Sequence, residues 1–282
     1  MAGLCGLTVT VGGLAACAAG NAAGWSVPRR SLAQQGELLT GHVSIRIPPG
    51  AGHAVPTLVM FHGCGGLRQV QEDYAAAVLD AGYGVMIVGS NAARGIGRFA
   101  AMSQVCTALR LWGQERAADV HAAIALAAAD PRIDSANLAL IGWSHGGWTI
   151  LDALGFSGAE QRPAALEGEG VSLPDHVRTT ILIYPYCGFP VRTDGRDLDP
   201  DIPVHAILAG NDVVAPAGDC VRLFERAGQA GVRVDYALWD GLTHAFDEPD
   251  QPPDPRMEYD ADAAGRARKH LVEILGSAFD QG

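Results

Sequence analysis

Positive charge is scarce in this chain: Lys and Arg number 20 against 31 Asp and Glu, a formal net charge of −11 at pH 7. A nucleic-acid or anionic-membrane surface needs a basic patch, so neither is expected as a partner. Charged residues make up only 18% while hydrophobic ones reach 48%, which excludes general disorder and provides for a large core. No CxxC or CxxH spacing occurs, so no structural zinc site is expected. No internal repeat or low-complexity linker divides the chain into further domains.

The start lacks charge of either sign. Met1 to Pro28 contains no Lys, Arg, Asp or Glu and is rich in Ala, Gly, Leu and Val. Its apolar run is too short and too Gly-rich to span a bilayer as a helix. It reads as an export signal, residues 1–28, without the usual basic n-region. Leu14-Ala15-Ala16-Cys17 resembles a bacterial lipoprotein signal, in which Cys17 would be lipidated and would anchor the chain. Cleavage near Ala23, or an uncleaved tail on a cytoplasmic protein, are the alternatives. With Cys5 and Cys17 in the signal, Cys64, Cys106, Cys187 and Cys220 remain for the domain over 29–282. An even set in an oxidising compartment implies disulfides.

Hydrophobic patterning sets the architecture. Val43–Ile47 alternates and reads as an antiparallel-type strand. Thr57–Phe61, Gly84–Val88, Leu138–Gly142, Thr180–Tyr184 and Val204–Leu208 are short apolar runs, the mark of strands buried on both faces, and Arg233–Trp239 closes the series. Between them Gln71–Ala81, Gln114–Ala129, Pro216–Ala230 and Tyr259–Leu275 read as helices. Alternation of this kind predicts a mostly parallel central sheet with helices on both faces. Loops at the carboxyl ends of such strands build the site. Two long irregular stretches, Asn91–Trp112 and Phe189–Ile202, follow strands.

The run Leu138–Ile141 drives directly into Gly142-Trp143-Ser144-His145-Gly146, a G-x-S-x-G pattern between a strand and a helix. That context predicts a nucleophile elbow, with the Ser144 hydroxyl exposed on a tight turn. A serine needs a base, and the base needs an orienting acid. In this architecture the order is Ser, acid, His. Asp212 follows the Val204–Leu208 strand in Ala209-Gly210-Asn211-Asp212, and His244 follows the last strand in Gly241-Leu242-Thr243-His244. Asp219 and Asp240 are weaker candidates for the acid. Upstream, Thr57–Phe61 runs into His62-Gly63-Cys64-Gly65-Gly66, whose amides could meet an oxyanion. The expected donors are the N–H groups of His145 and of Cys64, ahead of Gly65. His62 is expected to hold the loop rather than act as a second base. No metal or organic cofactor is needed.

On HGCGG at 62–66, GWSHGG at 142–147, AGND at 209–212 and GLTHAF at 241–246, the chain from about Val43 to Ala278 resembles the α/β-hydrolase fold and, within it, the dienelactone hydrolase-like group. The resemblance implies no large cap domain and hydrolysis of small-molecule carboxylic esters or lactones through an acyl-enzyme. The namesake enzymes carry cysteine in the elbow where this chain carries Ser144. Trp143, Trp148 and Tyr186 are expected to bind substrate at the mouth, with Phe189 nearby. A prolyl-oligopeptidase-like serine peptidase and a non-catalytic binding protein on a hydrolase scaffold are the alternatives. The strand-end positions of the four cysteines predict the pairs Cys64–Cys106 and Cys187–Cys220.

Overall fold

The computed structural model describes residues 27–158, 163–251 and 253–280. Its strands are β1 (Val43–Arg46), β2 (Val55–Phe61), β3 (Gly84–Val88), β4 (Ile133–Trp143), β5 (Val177–Ile183), β6 (Val204–Ala209) and β7 (Val234–Trp239). They form one open 7-stranded sheet in the order β1-β3-β2-β4-β5-β6-β7. β1 runs antiparallel to β3, and every other pairing is parallel. The principal helices are α1 (Leu32–Leu39), α2 (Gln69–Asp80), α3 (Gly113–Ala129), α4 (His145–Gly158), α5 (Ala217–Gln229) and α6 (Ala261–Phe279).

The two-residue period of the strands sorts their side chains into two cores. Val59 and Phe61 of β2, Met86 and Val88 of β3, and Leu138 and Leu140 of β4 face α1, α3, α4 and α5. Leu58, Met60, Val85, Ile87, Ala139 and Ile141 face α2 and α6. Both faces of the central strands are thereby dry, and their apolar runs follow from that.

Differences from the sequence reading have local causes. α1 was not expected. It is nucleated by a capping box in which Gln34 N donates to Ser31 Oγ at 3.2 Å and Ser31 N donates to Gln34 Oε1 at 3.0 Å. β4 begins at Ile133, ahead of the apolar run, because the buried Ile133 pairs with Val55 of β2; the mostly polar residues 134–137 follow it, and the register shifts before Leu138 pairs with Thr57. The Asn91–Trp112 stretch holds short helical turns at Ser90–Ala93 and Arg98–Ala100 and a π turn over Ala101–Val105.

Two disulfides close the carboxyl edge of the sheet, Cys64–Cys106 and Cys187–Cys220, each with a Cα–Cα distance of 5.0 Å. The first ties the loop after β2 to the segment after β3, and the second ties the segment after β5 to α5. Cys5, Cys17 and the export signal with its lipidation site lie outside the described residues, apart from the last residues of that stretch. Among the described residues no helix is long and apolar enough to cross a membrane.

The bridges close loops of 42 and 33 residues. Each should contribute roughly 4 kcal/mol in the chain-entropy account, with measured values typically 2–5 kcal/mol. Peptide mapping without reductant should recover both pairs. Replacing Cys187 and Cys220 together by Ser should lower the urea-unfolding free energy by about 2–4 kcal/mol.

Candidate active site

Ser144 stands between the end of β4 and the start of α4 with φ 51°, a left-handed conformation that costs a non-glycine residue of order 1–3 kcal/mol. The surrounding structure holds it there. Ser144 N donates to the Ile183 carbonyl at 3.0 Å, and the Ser144 carbonyl accepts from Trp148 N at 3.1 Å and Tyr186 N at 3.2 Å. The elbow is too tight for side chains at its flanks. A Cβ on Gly142 would lie 2.4 Å from the Gly146 carbonyl carbon, and one on Gly146 would lie 2.0 Å from the Phe61 carbonyl oxygen.

Three loops meet at the hydroxyl. His244 Nε2 accepts from Ser144 Oγ at 2.9 Å, and His244 Nδ1–H donates to Asp212 Oδ2 at 2.6 Å. Asp212 Oδ1 accepts from Val214 N at 2.8 Å and Ala215 N at 2.7 Å, so the carboxylate is held as an anion acceptor aimed at the imidazole. His244 and Asp212 are both buried. The Asp–His–Ser sequence of contacts is the arrangement that lets an imidazole take a proton from a hydroxyl.

Beneath the histidine lies a polar cluster that the sequence reading missed. The Tyr184 ring meets the His244 ring edge-on at 4.9 Å. Its hydroxyl donates to Asp247, which also accepts from Tyr74 OH at 2.7 Å and from Trp143 Nε1 at 3.2 Å. Burial pushes the Asp247 carboxyl up, and its three donors pull the other way. Trp143 therefore points into the core rather than the mouth. It is 0% exposed and packs edge-on against Tyr74 at 5.0 Å, which corrects the expectation that it binds substrate. The reason is strand alternation: Trp143 still belongs to β4, on the face covered by α2 and α6.

The loop after β2 runs beside Ser144. A Cβ on Gly63 would sit 3.8 Å from Ser144 Cβ. His62 is fully buried, with Nδ1–H donating to the Gly63 carbonyl at 2.6 Å; burial and the nearby Arg116 charge hold its pKa well below the usual histidine value. Asn91 Nδ2 donates to the Cys64 carbonyl at 3.0 Å. The side chain of His145, the residue after Ser144, turns inward. Its Nε2–H donates to the Leu111 carbonyl at 2.8 Å, and Nδ1 accepts from Arg116 at 3.2 Å. Arg116, another residue the sequence reading missed, is fully buried in α3. Burial lowers its pKa to about 9 against the pull of Asp119, so it is charged at neutral pH.

On the opposite side, aromatic rings build a wall. Trp148 lies 5.6 Å from Tyr186 and 6.4 Å from Trp112, and Trp112 lies 6.4 Å from Phe189. Tyr186 is half-buried, Trp148 buried and Phe189 exposed. Asp152 holds this wall from within, accepting from Trp148 Nε1 at 2.7 Å and from Arg192 N at 2.7 Å. Its only trace in the sequence is a carboxylate inside an apolar helix. Among the described residues no cluster of side chains could hold a metal ion.

The dienelactone hydrolase family model matches residues 43–279. The chain belongs to that family. None of the curated proteins matches it in sequence. Solved structures share the fold at low identity. A Klebsiella pneumoniae protein assigned as a dienelactone hydrolase is 12% identical with a TM-score of 0.65, covering 83% of this chain and 92% of its own. A dienelactone hydrolase-like promiscuous phosphotriesterase from metagenomic libraries is 14% identical with a TM-score of 0.60, over 84% and 99%. The carboxylesterase Cest-2923 from Lactobacillus plantarum is 17% identical with a TM-score of 0.59, over 83% and 92%.

Burial pushes the Asp152 carboxyl up to about 7 despite its donors. A folded-state pKa above the unfolded one gives stability that is present below about pH 4 and lost as pH rises toward 7. Asp152→Asn removes that titration. The stability of wild type relative to Asp152→Asn should therefore fall between pH 4.5 and 8 in urea unfolding. A constant difference would show that Asp152 does not titrate in this range.

Proposed function

We propose that the chain is a serine esterase that hydrolyses carboxylic esters or lactones through an acyl-enzyme on Ser144. The observation that carries this reading is the unbroken contact series Asp212–His244–Ser144, at 2.6 and 2.9 Å, on a strained elbow. Ser144 Oγ attacks the ester carbonyl while His244 Nε2 takes its proton. Asp212 fixes the tautomer with Nδ1 protonated and stabilises the imidazolium. The N–H groups of His145 and Cys64 receive the charge that develops on the carbonyl oxygen. His244 then protonates the leaving alcohol, and a water activated by the same nitrogen hydrolyses the acyl-enzyme. No step calls for a metal or an organic cofactor.

Tyr186 lies beside the nucleophile, since its N–H is bonded to the Ser144 carbonyl, and Trp148 backs its ring. Tyr186 supplies an apolar wall for one part of the ester, with Phe189 at its outer edge; Trp148 is 2% exposed and supports that wall from behind, which corrects the expectation that it lines the mouth. The two disulfides favour an oxidising compartment and hence an exported enzyme.

Labelling with a fluorophosphonate probe and hydrolysis of p-nitrophenyl esters test the reading together. Wild type should react in both assays, with the label on Ser144. Ser144→Ala should abolish labelling and lower kcat by several orders of magnitude. Asp212→Asn should lower kcat by roughly 10⁴-fold through the wrong imidazole tautomer. Hydrolysis at the wild-type rate in Ser144→Ala would end the serine-esterase reading.

A further inference from the structure

One buried guanidinium joins the two segments whose amides would meet the oxyanion. Arg116 Nη1 donates to the His62 carbonyl at 2.8 Å and to His145 Nδ1 at 3.2 Å. His62 lies two residues before Cys64 in the loop after β2, and His145 opens α4 directly after Ser144. The imidazole of His145 completes the tie, because its Nε2–H is bonded to the Leu111 carbonyl at 2.8 Å. Both ring nitrogens are thus used, and the neutral tautomer is fixed. Burial and the Arg116 charge push the imidazole down to about 3, so it stays a neutral acceptor across the working range.

A second contact limits the same spacing from the other direction. The first turn of α4 already touches the end of β2, since a Cβ on Gly146 would stand 2.0 Å from the Phe61 carbonyl oxygen and 2.9 Å from that of His62. Backbone contact prevents closer approach. The guanidinium bridge opposes separation. Between them the distance from the loop to the elbow has one value.

We propose that Arg116, with the side chain of His145 as its acceptor, is a positioning residue that sets the spacing of the Cys64 and His145 amides around the oxyanion. This rests on the esterase reading. Arg116 touches no reacting atom and acts through the two backbones it joins. A positioned donor differs from a displaced one mainly in the transition state, where the oxygen carries charge. Loss of the tie should therefore appear in kcat rather than KM. A lysine keeps the charge, but its side chain is one atom shorter and its ammonium falls short of Nη1, the one nitrogen that makes both bonds.

The test uses the full chain and two single variants, Arg116→Lys and His145→Ala; the second keeps the His145-position amide and removes only the imidazole. Removal of a whole oxyanion donor lowers kcat by about 10²–10³-fold, so displacement should lower it by roughly 10- to 100-fold. KM for p-nitrophenyl butyrate should stay within about twofold, and inhibition by a trifluoromethyl ketone, which forms a tetrahedral adduct, should weaken in step with kcat/KM. The double variant should be little worse than either single one, since both break the same tie. If Arg116→Lys does not fold, His145→Ala still decides the matter. A folded variant with wild-type kcat, or a loss of kcat without weaker ketone binding, would overturn the proposal alone. A wild type that hydrolyses no ester and leaves Ser144 unlabelled would overturn the esterase reading and this proposal with it.

Discussion

The first turn of α4 rests on the end of β2 with no room for a single methyl group, and the carboxyl edge of the sheet is organised around that contact. Gly146 faces the Phe61 carbonyl, Gly142 faces Gly146, and a Cβ on Gly147 would meet Pro185 Cβ at 2.5 Å. The helix is therefore pressed between the end of β2 and the segment that follows β5. This compression accounts for the left-handed conformation of Ser144. The chain must reverse from strand to helix within one residue, and the three glycines let the neighbouring backbones close in. The strain at Ser144 persists because three backbone hydrogen bonds and two flanking strands leave it no relaxed alternative.

Once the elbow is set, the other parts need only be carried to it and held. Parallel strands end at one edge, so the loops after β2, β4, β6 and β7 converge without long excursions. Each is then fixed by a local device. Asp212 is oriented by two amides of its own loop. His244 is braced by Tyr184, whose hydroxyl is in turn anchored on Asp247. The loop after β2 is stapled by Cys64–Cys106, and the aromatic wall by Cys187–Cys220 and Asp152. Preorganisation of this kind places a site on rigid supports although its residues lie on loops.

How much of this could be read from the chain depended on which residues act alone. Buried parallel strands are apolar at every position, so the Gly84–Val88 and Val204–Leu208 runs were visible with almost their true limits. Glycine-flanked Ser144, and Asp212 and His244 at later strand ends, stand out because their types are unexpected beside a core. Cysteine pairing was readable because strand-end position already implies proximity. Trp143 was misplaced because a tryptophan beside Ser144 looks like a lining residue, whereas the last position of a strand still obeys its alternation. Arg116, Asp152 and Asp247 were missed for a shared reason. Apart from the Trp148–Asp152 bond, four residues apart on α4, their partners are backbone groups or residues distant in sequence, and no spacing announces such a partnership. Polar residues inside apolar helices, as Arg116 and Asp152 are, were the one signal available.

The charges around the elbow are arranged asymmetrically, and the asymmetry has chemical direction. Arg94 makes two contacts of 2.9 Å with Asp119, a paired and largely neutralised unit. Arg116, on the same helix as Asp119, bonds instead to a carbonyl and a neutral imidazole, so no carboxylate touches it. Its positive charge lies buried behind the segments that would receive an oxyanion. On the far side, the Asp212 carboxylate lies behind the imidazole that would become positive. In the proposed reaction, negative charge grows toward Arg116 and positive charge toward Asp212, and both buried charges are in place before substrate arrives. The medium near them is dry, so their influence at a given distance is stronger than it would be in water. A site of this polarity favours separation of charge along the line from Asp212 through Ser144 to the loop after β2, which is the direction ester attack requires.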